Sequence, residues 1–166
     1  INYLGPNTLD TNSIVWNNVN ANATNNFNLI LICNTLIFEG GGTATFGGNF
    51  GFDTNILIFN VAGKILNLKS GLEYRILTEM RSLVPTLASR ALINCSVVNG
   101  TKAILNLAPD ATQDNGYVSA TDIDSSGGRS IWTYKGVLTR TINWNQMSTN
   151  PKKHILSSNN RIIKHT

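Results

Sequence analysis

Apolar residues along this chain fall in short runs or strict alternation, and no long window carries the periodicity of an amphipathic helix. The runs cover residues 13–16, 28–33, 35–38, 43–46, 55–61, 64–69, 72–80, 91–98, 101–107, 117–121, 131–134 and 138–144. Between them stand turn signals: Gly40-Gly41-Gly42, Gly47-Gly48-Asn49, Ala62-Gly63, Ser70-Gly71, Asn99-Gly100, Asn115-Gly116 and Ser126-Gly127-Gly128. Helix formers are scarce, and β-branched residues and Asn interrupt every long window. About a dozen short strands follow from this pattern, so the fold class is all-β.

Two registers of apolar residues suggest how the strands are arranged. One passes through Leu36/Ile37, Leu57/Ile58, Ile76/Leu77, Val97/Val98, Tyr117/Val118 and Val137/Leu138, and the other through Phe46, Leu66, Leu87, Leu105, Ile123 and Ile142. A repeat of about 20 residues fits one rung of a parallel β-solenoid, in which short strands and corners stack on the next turn of the chain. The alternative is a β-sandwich or jelly roll, which also places turns at short intervals. The expected division is a solenoid domain over 1–147 and a basic C-terminal arm over 148–166, with Asn150-Pro151 as a break between them.

Composition supports β-structure and narrows the function. Of 166 residues, 24 are Asn, 17 Thr and 14 Gly, and only 13% are charged, a mix suited to turns and to a surface of amides and hydroxyls. The net charge of +4 invites a nucleic-acid reading, but the excess is local: Lys152, Lys153, Arg161 and Lys164 carry it, and the preceding chain is neutral. No nucleic-acid partner is expected. No stretch is long and apolar enough for a membrane-spanning helix, so no membrane insertion is expected either. The chain starts at Ile1, which raises the expectation of a removed leader or a larger parent protein. Cys33 and Cys95 lie in separate apolar runs, and either a disulfide or two buried thiols fits them. With no CxxC and no Cys/His cluster, no metal site and no cofactor are expected. Sequons at Asn22, Asn94 and Asn99 arise readily in so Asn-rich a chain.

Two stretches carry a resemblance. The first runs from Thr43-Ala-Thr-Phe-Gly-Gly-Asn-Phe-Gly51 into Phe59-Asn-Val-Ala-Gly-Lys-Ile-Leu-Asn-Leu-Lys-Ser-Gly-Leu-Glu-Tyr74. The second runs from Tyr117-Val-Ser-Ala-Thr-Asp-Ile-Asp-Ser-Ser-Gly-Gly-Arg-Ser-Ile131 to Leu138-Thr-Arg-Thr-Ile-Asn-Trp144. Over residues 27–145 the chain resembles a module of phage structural proteins (fibre, decoration or tail-associated), also seen in bacterial surface β-helix proteins. The resemblance implies a short right-handed parallel β-helix with a structural or host-attachment role, and it carries over no catalytic motif.

The residues most able to support chemistry lie late in the chain. Asp122 and Asp124, two apart on a strand, would point their carboxylates the same way. They fit an acid/base pair acting on a glycan, a calcium site, or capping of a glycine corner in which Gly127 and Gly128 supply positive φ; the corner is the preferred reading. Trp132 and Tyr134 share a strand face and stand near Trp144, as a cap on the last rung, a protein interface or a sugar-stacking platform. The glycines at 40–42 form a turn and not a phosphate cradle, because strand-like 43–46 follows where a helix is needed. The only histidines, His154 and His165, lie in the tail, so no Ser/His/Asp triad is expected and the chain reads as a non-enzyme.

The expectation is therefore a structural protein of a virion surface or an extracellular space. Its partners would be other virion or surface proteins, further copies of itself as a homo-oligomer (a trimer, by likeness to fibres), and a host glycan. The alternatives are an extracellular carbohydrate-binding or carbohydrate-active β-helix domain, and a secreted bacterial adhesin.

Overall fold

A computed structural model describes residues 2–3, 14–22, 25–27, 31–39, 41–49, 51–84, 86, 88 and 90–148, with side chains from residue 31 onward. The arm at 148–166 lies almost wholly outside the described residues, as does the expected break at Asn150-Pro151.

The described chain is all-β, without α-helix, and every strand pairing is parallel. Eight strands form the largest sheet. They are β1 (Asn2–Tyr3), β2 (Ile14–Asn22), β4 (Leu31–Glu39), β6 (Phe52–Phe59), β8 (Glu73–Ser82), β10 (Ala103–Leu107) and β13 (Ile123–Asp124), in that spatial order, with β11 (Thr112–Asp114) also paired to β8. A six-stranded sheet runs β15 (Leu138–Thr139), β12 (Val118–Thr121), β9 (Ala91–Cys95), β7 (Ile65–Leu68), β5 (Thr43–Phe46) and β3 (Asn25–Phe27). β14 (Ile131–Tyr134) and β16 (Trp144–Met147) make a third, small sheet. From β2 to β10 the chain alternates between the two large sheets, and its neighbours in each are the strands before and after in that alternation. Consecutive strands joined by hairpins, as a jelly roll requires, do not pair anywhere in the described residues.

Burial alternates because side chains of a strand point to opposite faces. In β9 and β10 every second residue is buried, and β5 and β7 do the same over four residues. Parallel pairing sets equivalent positions side by side. Leu36, Leu57 and Met80 line up in one sheet, and Ala44, Leu66, Ile93 and Ala120 in the other. The inward faces of both sheets merge in one core, which includes stacked rings of Phe38 and Phe59 (centroids 5.4 Å apart) and a cluster of Phe46, Phe52 and Tyr74. On the outer face polar groups also pair between neighbouring strands. Asn55 donates to Asn34 at 2.9 Å, Asn60 to Glu39 at 3.2 Å, Arg75 to Asp53 at 2.8 Å and Asn106 to Glu73 at 2.7 Å.

The spacing of stacked positions is less even than the sequence registers suggest. Hydrogen-bonded partners in adjacent layers are 21 residues apart at Asn34/Asn55, 20 at Leu105/Ser125 and 18 at Asp122/Arg140. The step from β8 to β10 is longer, with Ser70 bonded to Thr101, 31 residues on. Leu36 does align with Leu57, but the next partner is Met80 and not Ile76. The cause is that β8 is offset from β6 by 22 residues at Thr54/Ile76 and by 23 at Leu57/Met80, and only the last residue of that offset comes from the irregularity between Thr54 and Ile56. Val97 and Val98, expected in the same column, occupy an exposed turn. In the second register Phe46 aligns with Leu68 and Ile123 with Ala103. Leu87 lies outside the described residues.

Both cysteines are free and buried, so of the two sequence readings the structure has two thiols. Burial pushes the Cys33 thiol up, partly offset by its contact with the Thr54 hydroxyl at 3.5 Å. Cys95 approaches the Thr101 carbonyl at 3.4 Å. We expect both to react with a thiol reagent about a hundredfold more slowly in native buffer than in denaturant, an opening free energy of roughly 3 kcal/mol. Rapid native labelling of either cysteine would show that its strand does not keep the thiol buried.

Candidate functional site

Residues 111–147 hold every side chain singled out for chemistry, and left-handed backbone at the corners decides where each one points. Tyr117, Asp122, Lys135, Arg140 and Asn143 all have φ between 51° and 59°. Non-glycine residues rarely adopt this region, and Asn and Asp tolerate it best. Tyr117 and Lys135 follow the bridged pair Gly116 and Tyr134, while Asp122 and Arg140 follow the aligned pair Thr121 and Thr139. The left-handed corners therefore sit one above another.

Asp122 occupies such a corner between β12 and β13, and this removes it from the strand geometry that would have aligned it with Asp124. Its side chain is buried. One carboxylate oxygen accepts from Arg140 Nε and the other from Arg140 Nη2, both at 2.7 Å, and the second also accepts from the Asn99 backbone N–H at 3.4 Å. The Arg140 guanidinium holds the Asp122 carboxyl below its ordinary value, with the Asn99 N–H assisting against the effect of burial. Asp124 is half-buried, and its carboxylate accepts from the Ser126 N–H at 2.8 Å. The expectation that the two carboxylates point together is thus corrected: one closes an ion pair and the other caps a turn.

The glycine corner also works differently from expectation. Neither Gly127 nor Gly128 has positive φ. Glycine is needed there for close approach, since a Cβ on Gly128 would run into the Leu107 backbone and one on Gly127 into the Asn106 side chain. Arg129 N–H then donates to the Leu107 carbonyl at 2.8 Å, and the Arg129 guanidinium donates to the Ala111 carbonyl.

The three aromatics separate. Trp144 is inward and buried, aligned with Ile131, and its indole N–H donates to Ser125 Oγ at 2.7 Å. Ser125 is itself fully buried and donates to the Leu105 carbonyl at 2.6 Å. Trp132 and Tyr134 alternate with the buried Ile131 and Thr133 and are half-buried on the outer face. Beside them on β16 lie Asn145, aligned with Trp132, and Met147, aligned with Tyr134. The Tyr134 ring meets Tyr117 edge-on at 5.9 Å, and the Lys135 ammonium lies 5.2 Å from its centre. The hydroxyl of Tyr134 stabilises that charge and raises the Lys135 pKa.

Several residues that hold this region together were not singled out by the sequence reading. Gln113 accepts from the Trp132 N–H at 2.9 Å and donates to the Ser130 carbonyl at 2.9 Å, so a side-chain amide replaces ladder bonds between β11 and β14. Asn143 donates to the carbonyls of Ser125 at 2.9 Å and Gly128 at 3.1 Å. The available signal was the separation of Arg140 from Asp122, which equals one local layer. Chemically, the arrangement offers a neutralised carboxylate and an outer face of aromatic and amide groups. No set of three or more His, Cys, Asp or Glu side chains able to hold a metal ion comes together among the described residues. Comparison with protein-family models, curated proteins and solved structures finds no match to this chain.

Proposed function

We propose that this chain is a structural scaffold: a short right-handed parallel β-solenoid with rungs of about 20 residues, serving as a surface component of a virion (fibre, decoration or tail-associated). One observation carries the reading. All strand pairings are parallel, and the chain returns to each large sheet beside the strand it left one layer earlier. Such a stack is rigid, because each layer's apolar groups rest on the next, and its outer face carries amide and charged groups paired between neighbouring strands. The resemblance of residues 27–145 is to phage structural modules and to bacterial surface β-helix proteins alike, so a secreted adhesin shares this fold and would differ in where it resides. Assembly into a homo-oligomer, with a trimer as the specific form proposed, would cover the end strands of such a stack. The test is antibody labelling of the parent particle by electron microscopy, together with native mass spectrometry of the purified chain. Surface labelling and a trimer are expected. A freely diffusing monomer that associates with no particle or cell surface would overturn the proposal.

A second reading, binding of a host glycan, is favoured by Trp132 and Tyr134 standing on the outer face beside Asn145, where rings stack and amides bond hydroxyls. Its hydrolytic version has little support, since Asp122 is engaged by Arg140 and does not form a carboxylate pair with Asp124. Glycan-array binding abolished by Trp132→Ala would promote this reading, and no binding by the wild-type protein would retire it.

A further inference from the structure

We infer that Asn99 is a site of spontaneous covalent modification, where the Asn99–Gly100 step deamidates in the folded protein while the identical Asn115–Gly116 step is protected. The inference does not depend on the role proposed above. Glycine after asparagine is the most permissive pair for this reaction, because no Cβ hinders the approach of the following main-chain nitrogen. The Gly100 nitrogen attacks Cγ of Asn99, a C–N bond forms, the bond to Nδ2 breaks, and the Gly100 amide proton leaves with the expelled ammonia. Water then adds to either carbonyl of the cyclic imide and opens it, leaving aspartate or isoaspartate. No oxidant or reductant takes part.

The two sites differ in everything the reaction needs. Residues 96–101 form a wholly exposed turn with Asn99 at φ 60°, and among the described residues no hydrogen bond fixes the Asn99 carboxamide. Ser70 anchors the two ends of the turn through Ser96 Oγ at 3.1 Å and the Thr101 carbonyl at 2.5 Å, and the exposed residues between those anchors swing at low free-energy cost. Asn115 is fully buried, with its amide 3.4 Å from Gln113 Oε1. Its backbone is held on both sides: Tyr134 N–H donates to the Asn115 carbonyl at 3.1 Å, Tyr117 N–H donates to the Tyr134 carbonyl at 2.8 Å, and Gly116 is bridged to Tyr134. The Gly116 nitrogen cannot swing toward the carboxamide without breaking that ladder.

Position gives the change a consequence. The Asn99 N–H donates to the Asp122 carboxylate, so the product places a new negative charge one residue's reach from a buried anion. An isoaspartate also lengthens the main chain within the turn. Both effects work against the Asp122–Arg140 corner, so the modification acts as an ageing step that loosens one edge of the stack.

The test is incubation of the full chain in mildly alkaline buffer at physiological temperature, followed by peptide mapping and enzymatic isoaspartate labelling, with a parallel sample in denaturant. In the native protein the Asn99 peptide should gain the mass of an amide-to-acid conversion, while Asn115 converts at least about tenfold more slowly. In denaturant the two should convert at comparable rates. Gly100→Ala, whose added methyl presses only on the exposed Val97 side chain, should slow Asn99 by about tenfold, with its fold checked by circular dichroism. Asn99→Asp should lower the melting temperature as the aged protein does. An Asn99 that stays intact in native buffer while converting in denaturant would overturn the inference, and so would an Asn115 that converts as fast as Asn99 in the native state.

Discussion

Leu57→Asp is expected to abolish the cooperative unfolding transition, while Asn55→Asp two residues earlier leaves it almost unchanged. Leu57 is fully buried, aligned with Leu36 on one side and Met80 on the other, so a carboxylate there has no polar partner in either neighbouring layer. Burying an unpaired charge costs about 5 kcal/mol or more, which is the scale of the whole stability of a domain this size. Asn55 is on the outer face and donates to Asn34, so its replacement loses one exposed hydrogen bond, worth about 1 kcal/mol at most. Leu57→Ala falls between the two, at about 2–5 kcal/mol for the lost contacts and the cavity left behind. That corresponds to a melting temperature lower by roughly 4–20 °C. Thermal melts followed by far-UV circular dichroism give the ranking. Equal effects of the two aspartates would mean that Leu57 does not face the core while Asn55 faces solvent, and the alignment of Leu36, Leu57 and Met80 in one buried column would fail with them.

Alternation would set Asn55 and Leu57, two apart, on one face, so their contrast was not legible in the sequence and arises from the irregularity between Thr54 and Ile56. Elsewhere alternation of apolar and polar residues is a local property that survives whatever the strand packs against. The all-β class and most strand positions follow from it. Spacing was less legible. Leu36 and Leu57 were correctly placed side by side, yet the column continues to Met80, since the step from β6 to β8 is 22 residues at Thr54/Ile76 and lengthens by one more across the irregularity that follows. Val97-Val98 looked like a member of that column because an aliphatic pair in a turn and one in a core read alike in sequence. The candidate site was legible by location alone. Residues 117–144 do hold the dense polar network, but the two-apart rule for Asp122 and Asp124 presumes extended backbone, and φ of 56° at Asp122 cancels it. Left-handed backbone at an aspartate is imposed by the layers above and below, so no window around Asp122 encodes it. The same holds for Ser125, whose buried bonds to Leu105 and Trp144 join residues about one layer away in each direction.

The ion pair at that corner leads to the second large effect, an inversion of the pH dependence of stability on removing Arg140. In the wild-type protein the Asp122 carboxyl is depressed below its unfolded value, chiefly by Arg140. A group of this kind contributes stability that is fully present above the unfolded pKa of about 4 and is lost as pH falls through the folded value. The wild-type melting temperature should therefore decline below about pH 4. Asp122→Asn removes that linkage, so its melting temperature is lower near neutrality and its acid slope is shallower. Arg140→Ala instead leaves a buried carboxylate with the Asn99 N–H and the charge of Lys102 as its remaining favourable partners. Burial is then the largest remaining influence, ahead of the Asn99 N–H and Lys102, and is expected to raise the Asp122 pKa above the unfolded value, so that folding favours the protonated form. For that variant stability is lowest at neutral pH and recovers as pH falls through the raised value, the opposite sign to wild type. Near neutrality we expect Arg140→Ala to melt below wild type, by less than the loss of a fully buried pair would give, because the Arg140 side chain is 40% exposed. The double variant Asp122→Asn/Arg140→Ala should regain part of that loss, because no unpaired charge remains. Differential scanning fluorimetry of the four proteins across acid to neutral pH reads all of this directly. Parallel pH profiles for wild type and Arg140→Ala would show that the corner is held by packing alone and that the guanidinium is incidental to it.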